Sequence, residues 1–202
     1  MRSLGFLVFF PLLPAIVGCP GMDSQDGVGP AGPARSFILG VEQDGRMLPI
    51  RDHQVVLKRK PFVIVVVFPV PDAVLVIASF RPDSFEAARR GEPFSAIPGF
   101  AGSRARQELF NRDKTLVIGD DVHQNWQYSS EKVHNFDSVT TRDRALFCRR
   151  TVAKYQLSGR QAEDITTIDS PAIYLVFVAR QWNPSPANRP EKQREVLKIV
   201  FQ

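Results

Sequence analysis

The chain reads as mainly β, an antiparallel β-sandwich with one or two short helices inserted. Three observations lead there. Eight or more short apolar runs are separated by proline, glycine and asparagine or aspartate. The runs are rich in valine and isoleucine and shorter than helices usually are. Little helical periodicity lies between them, which is the pattern of strands packed face to face.

In order along the chain, Ser36–Val41 and Arg46–Ile50 flank Asp44-Gly45, a strong hairpin signal, and Gln54–Leu57 is expected to continue the same sheet. Phe62–Phe68 (FVIVVVF) and Ala73–Phe80 (AVLVIASF) are the two strongest strands, divided by Pro69-Val70-Pro71-Asp72. They show almost no polar alternation, so both faces should be buried. Next, Pro82–Gly91 carries an aspartate, Asp83, at the helix-cap position, Glu86 three residues on, and arginines before a glycine stop. That is a short capped helix. Gly91–Gly102 reads as a loop pinned by Phe94, Ile97 and Phe100, and Ser103–Asn111 as a second short helix. Thr115–Ile118 is a strand ending at Gly119-Asp120-Asp121, and Asn125–Tyr128 another. Ala145–Leu157 is long enough to need a bend, because Arg149, Arg150 and Lys154 fall on both faces. Ser158–Asp164 reads as a turn or a single helical turn, and Ala172–Arg180 and Glu195–Phe201 close the chain as strands. The strand count alone suggests an immunoglobulin-like or transthyretin-like arrangement.

With 44% hydrophobic and 23% charged residues, disorder is excluded for the bulk of the chain. The first residues differ. Arg2 precedes an apolar run from Leu4 to Val17, too short to span a bilayer and interrupted by Pro11 and Pro14. This is the layout of a secretory signal peptide. Ile16-Val17-Gly18-Cys19 resembles the lipobox of bacterial lipoproteins. That resemblance implies cleavage before Cys19, a diacylglycerol on its thiol and acylation of the new amino group, so residues 1–18 would be a lipoprotein signal peptide. It also implies a chain lipid-anchored to a bacterial membrane. The residue after the cysteine is Pro20, not aspartate, which in the sorting rule of some two-membrane bacteria implies the outer membrane, facing the periplasm.

Cys19–Arg35 is rich in glycine and proline, the composition of a tether. Residues 36–202 then form one domain, and about 180 residues after cleavage suffice for a single sizeable core. Arg2 is the only charge in the removed segment, so the net charge falls by one from +5. The excess is scattered over Lys58-Arg59-Lys60, Arg89-Arg90, Arg104, Arg106 and Arg149-Arg150. These read as solvated faces, or as attraction to anionic lipid or cell-wall polymer. Nucleic acid is excluded by the exported location. With Cys19 lipidated, Cys148 is the one thiol left, expected as a buried apolar residue.

Chemistry is sparse. The densest polar cluster is Gly119–Tyr128 with His134. Asp120, Asp121, His123 and His134 are candidate ligands for a divalent metal such as zinc, manganese or iron, although the spacing matches no named motif. The same stretch reads as a turn with Trp126 and Tyr128 covering the core. A cysteine nucleophile would need His123 or His134 beside Cys148, and no serine-nucleophile motif exists, so no catalytic residue is assigned. His53, beside Asp52, reads as a surface residue. Trp182, on the proline-rich loop before the last strand, and Trp126 and Tyr128 are candidate contact residues for another envelope protein. The expectation is a non-enzymatic lipoprotein without cofactor. Its alternatives are a metal-dependent hydrolase and a structural subunit of an envelope or secretion assembly.

Overall fold

Strand β1 (Ile38–Gln43) and strand β2 (Arg46–Leu48) form the hairpin expected at Asp44-Gly45, with Gln43 opposite Arg46. Both turn residues have positive φ, 54° and 72°, the conformation whose twist matches that of the flanking strands. The computed structural model describes residues 38–69, 72–100, 104–106, 114–126, 136–142, 145–181 and 191–202. All of them belong to one unit, Pro33–Gln202.

The next strand, β3 (Gln54–Leu57), corrects the expectation that it extends the hairpin's sheet. It pairs in parallel with the last strand of the chain, Lys198 opposite Gln54. A second tight reversal precedes it: Asp52 and His53 both have positive φ, 48° and 59°, between reciprocal backbone hydrogen bonds of Arg51 and Gln54 at 2.9 and 2.8 Å. Gln43 secures the following loop, its side chain donating to the Lys58 and Lys60 carbonyls and accepting from the Lys58 amide.

The two β-branched runs become β4 (Phe62–Pro69) and β5 (Asp72–Ser79), and they lie in different sheets. Helix α1 (Asp83–Arg89) follows. Its cap is Pro82, with no side-chain cap hydrogen bond; Asp83 lies one residue inside and pairs with Arg81. Gly91, at φ 77°, ends the helical turn as expected. Part of the second expected helix is extended instead: β6 (Arg104–Arg106) pairs in parallel with β8 (Val122–Trp126), and residues 107–111 lie outside the described residues. Between them in sequence is β7 (Thr115–Ile118), as expected.

The remaining strands are β9 (Ser138–Arg142), β10 (Ala145–Val152), β11 (Lys154–Leu157), β12 (Ala162–Asp164), β13 (Ala172–Gln181) and β14 (Glu191–Phe201). The long segment Ala145–Leu157 does break, at Ala153, and its halves join different sheets. Of the stretch Ser158–Asp164, residues 158–161 form the turn and the rest is the short β12.

Among the described residues three sheets result, ordered β2-β1-β4-β10-β9, β3-β14-β13-β5-β8-β6 and β12-β11-β7. The five-stranded sheet is antiparallel throughout; β3–β14, β6–β8 and β7–β11 are parallel pairs, so the β-sandwich-like fold contains mixed sheets. The five- and six-stranded sheets share one core. Val41, Ile64, Val66, Leu146 and Cys148 meet Val76, Trp126, Ile173, Leu175, Phe177 and Leu197 there. The opposite face of the six-stranded sheet has a second core, where Leu75, Ile77, Val176 and Val178 are covered by Phe85, Ala87 and Ala88 of α1 and by Ile97 and Phe100. Both faces of β5 are thus buried, as its sequence requires.

Phe177 is fully buried and packs edge-on against Trp126, with ring centroids 5.8 Å apart. Replacing it with alanine should lower the free energy of unfolding by about 3–5 kcal/mol. Val56→Ala, at an exposed position, should change it by less than about 1 kcal/mol; chemical denaturation of both variants checks the pair.

Candidate functional site

Strand β7 is buried at every position and ends at Gly119, whose amide donates to the Ala78 carbonyl at 2.9 Å. The turn is tight: a Cβ on Gly119 would stand 3.0 Å from Asp121 Oδ1 and 3.2 Å from Ser158 Cβ. Asp120 accepts the Ser79 hydroxyl's hydrogen bond, Ser79 Oγ accepts from the Arg81 amide at 2.9 Å, and the Arg81 guanidinium lies 3.7 Å from Asp120 Oδ2. The Asp120 carboxylate is therefore tied to the end of β5 and shares the Arg81 guanidinium with Asp83. Asp121 is exposed. His123, half-buried on β8, lies against Phe100, ring centroids 5.6 Å apart.

His134, Tyr128 and Trp182 lie outside the described residues. Among the described residues, no three histidine, cysteine, aspartate or glutamate side chains converge as a metal site would require. Trp126 is 1% exposed and sits edge-on to Phe136 and Phe177. It covers the core, as the turn reading expects, and offers no surface to a partner.

The arginine pair Arg149-Arg150 corrects its reading as a solvated face. Consecutive strand residues point to opposite sides, and β10 alternates strictly between half-buried and buried positions. Arg149 faces outward and donates to both carboxylate oxygens of Glu42, at 2.7 and 3.0 Å. Arg150 faces inward and is buried, with Cζ 4.6 Å from the centroid of the Trp126 ring and Nη2 3.1 Å from the Thr115 carbonyl. The cation thus spends part of its charge on the π-face and part on a backbone acceptor. Beside it, Gln124 donates to the Val117 carbonyl at 2.8 Å.

Cys148 is fully buried, and that burial pushes its thiol up to about 12. It is held as a neutral thiol at physiological pH, the opposite of what a nucleophile needs.

A shallow cleft of about 380 Å³, which no sequence pattern announces, opens where α1 ends against β14. Its walls include His53, Arg89, Arg194 and Glu195. Arg194 Nη1 donates to the Ala88 and Glu92 carbonyls at 3.3 and 2.7 Å, and Arg89 pairs with Glu86 at 3.0 Å. Arg194 therefore serves the carbonyl end of the helix, where a cation is favoured. No protein-family model, curated protein or solved structure matches the chain.

Hydrogen bonding to Arg149 holds the Glu42 carboxyl below its ordinary value of 4.5, against the opposing effect of burial. A carboxyl depressed in the folded state contributes stability that is present above its unfolded pKa and lost as pH falls through the folded one. Unfolding free energy should therefore fall on acidification below about 4.5, and Glu42→Gln should flatten that part of the profile. Cys148 should resist iodoacetamide at pH 8 in the native protein and react on unfolding, as mass spectrometry of the alkylated chain will show.

Proposed function

We propose that the protein is a membrane-anchored envelope lipoprotein whose β-rich domain binds another component of the envelope without catalysing a reaction. The observation that carries this reading is Ile16-Val17-Gly18-Cys19, placed directly after a short apolar run. Two or three acyl chains, each gaining about 0.8 kcal/mol per buried methylene, make an anchor that needs no spanning helix. Among the described residues, no helix is long and apolar enough to cross a membrane. Pro20 directs the protein, on the sorting rule, to the outer membrane facing the periplasm.

The binding reading draws support from the way the chain's reactive groups are employed. Asp120 is engaged by Ser79 and Arg81, and Cys148 is sealed in the core. The contact surface we assign is the exposed Asp120-Asp121 turn beside the Ser79 end of β5; Trp182, the other candidate contact residue, lies outside the described residues and follows Gln181, which pairs with Asp72 at the opposite end of β5. The partner at that surface is an envelope protein or an anionic cell-wall or lipid polymer.

Cells fed labelled palmitate test the anchor. The native chain should take up the label and Cys19→Ser should not. Label in both chains, or in neither, would contradict the lipobox reading.

A further inference from the structure

We propose that the cleft where α1 ends against β14 binds the phosphate group of a small molecule. The inference goes beyond the lipoprotein reading and does not depend on it.

Three separate segments build the cleft. One is the reversal Arg51–Gln54, in which Asp52 and His53 both have positive φ, 48° and 59°. A reversal of that kind favours glycine at its second position, but here the position carries an imidazole. Left-handed backbone at residues other than glycine concentrates at ligand-binding sites, and His53 stands on the cleft wall. Its carbonyl accepts the Lys198 amide at 2.7 Å, so β14 holds the turn in place. Arg89, in the last turn of α1, and Arg194, on β14, belong to the other walls.

The side-chain charges that face the cleft have one sign. Among its described lining residues, Glu195 alone carries a carboxylate. Glu195 stands opposite Phe177, which packs in the core between the two large sheets, and accepts from Gln193 at 3.2 Å. Residues directly opposite in a ladder share a face, so the Glu195 carboxylate belongs to the face of the sheet away from α1. Arg194 lies on the near face, as does Val196 two residues on, which packs in the core beneath α1. The carbonyls at the end of α1 are the remaining negative groups, and Arg194 covers those of Ala88 and Glu92.

Two of these cations have donors to spare. Arg89 gives its Nε to Glu86 at 3.0 Å. Among the described residues, its two Nη groups and the His53 imidazole have no hydrogen-bond partner. The pair with Glu86 is exposed on both sides, and pairs of that kind hold weakly, so a bound anion can share the guanidinium. The guanidinium offers a fork of N–H groups and the imidazole a donor from another segment. Donors arriving from separate walls match the tetrahedral oxygens of a phosphate better than a planar carboxylate, which one fork satisfies. A volume of about 380 Å³ lies at the lower end of the range for small-molecule sites and leaves room for an organic body beside the phosphate.

The test is amide NMR of the full chain in neutral detergent micelles, titrated with inorganic phosphate and with glycerol 3-phosphate at constant ionic strength. The signals of Gly91 and Val196, both in the cleft wall, should shift saturably, and glycerol 3-phosphate should saturate them at the lower concentration. The signal of Gly159, in the turn after β11, should not move. His53→Gly suits the reversal and removes the imidazole; Arg89→Gln changes an exposed position. Each should raise the phosphate concentration needed by roughly five- to tenfold, whereas Arg160→Gln, beside Gly159, should change nothing. Absence of a saturable shift, an equal shift at Gly159, or undiminished binding in either cleft variant overturns the site. Shifts caused by phosphatidylglycerol doped into the micelles, but by neither soluble phosphate, would assign the cleft to a lipid headgroup and overturn the small-molecule proposal.

Discussion

Strand β13 sets the constraint from which the rest of this architecture follows, because it is apolar on both sides. Ile173, Leu175, Phe177 and Ala179 point one way and Val176 and Val178 the other, and all are buried. At about 1.5–3 kcal/mol for each large apolar side chain removed from water, neither face can be left wet. The five-stranded sheet covers one face, and α1 with Ile97 and Phe100 covers the other. Strand β5 shares both environments as its neighbour, with Val176 opposite Ile77. The helix after Phe80 is thus the third layer that the central strands demand.

The shared core also contains a charge. Arg150 is tolerated beside Trp126 because the ring face and the Thr115 carbonyl replace part of its hydration. Its neighbour Arg149 meets Glu42 on the outer face. One dipeptide therefore supplies a buried cation to the core and a surface ion pair that reaches across β4 to Glu42 of β1. The cause is strand alternation alone.

Much of this was readable in the sequence. Asp44-Gly45 marks a hairpin because both positions must adopt positive φ, and the β4, β5 and β13 runs are too apolar and β-branched to be anything but strands. What could not be read depends on partners distant in the chain. Nothing in Gln54–Leu57 says that it pairs with β14 rather than β1, and Arg104–Arg106 becomes a strand only because β8 offers an edge. Strand β9 escaped notice because Val139 is its one inward apolar residue. At the candidate site, the turn at Gly119–Asp121 was legible from its composition, whereas Asp120's engagement with Ser79 and Arg81 joins three segments. The cleft of His53, Arg89 and Arg194 likewise exists only after folding.

The proposed function sets a β-sandwich-like domain on a lipid anchor at Cys19. Its central claim is the covalent state of Cys19. The most direct measurement is the intact mass of the protein purified from membranes of cells that express it. The account predicts a chain that begins at Cys19 and carries a diacylglyceryl group on sulfur, with or without a further acyl chain on nitrogen. A mature chain that begins elsewhere, or one with an unmodified Cys19 thiol, would contradict it.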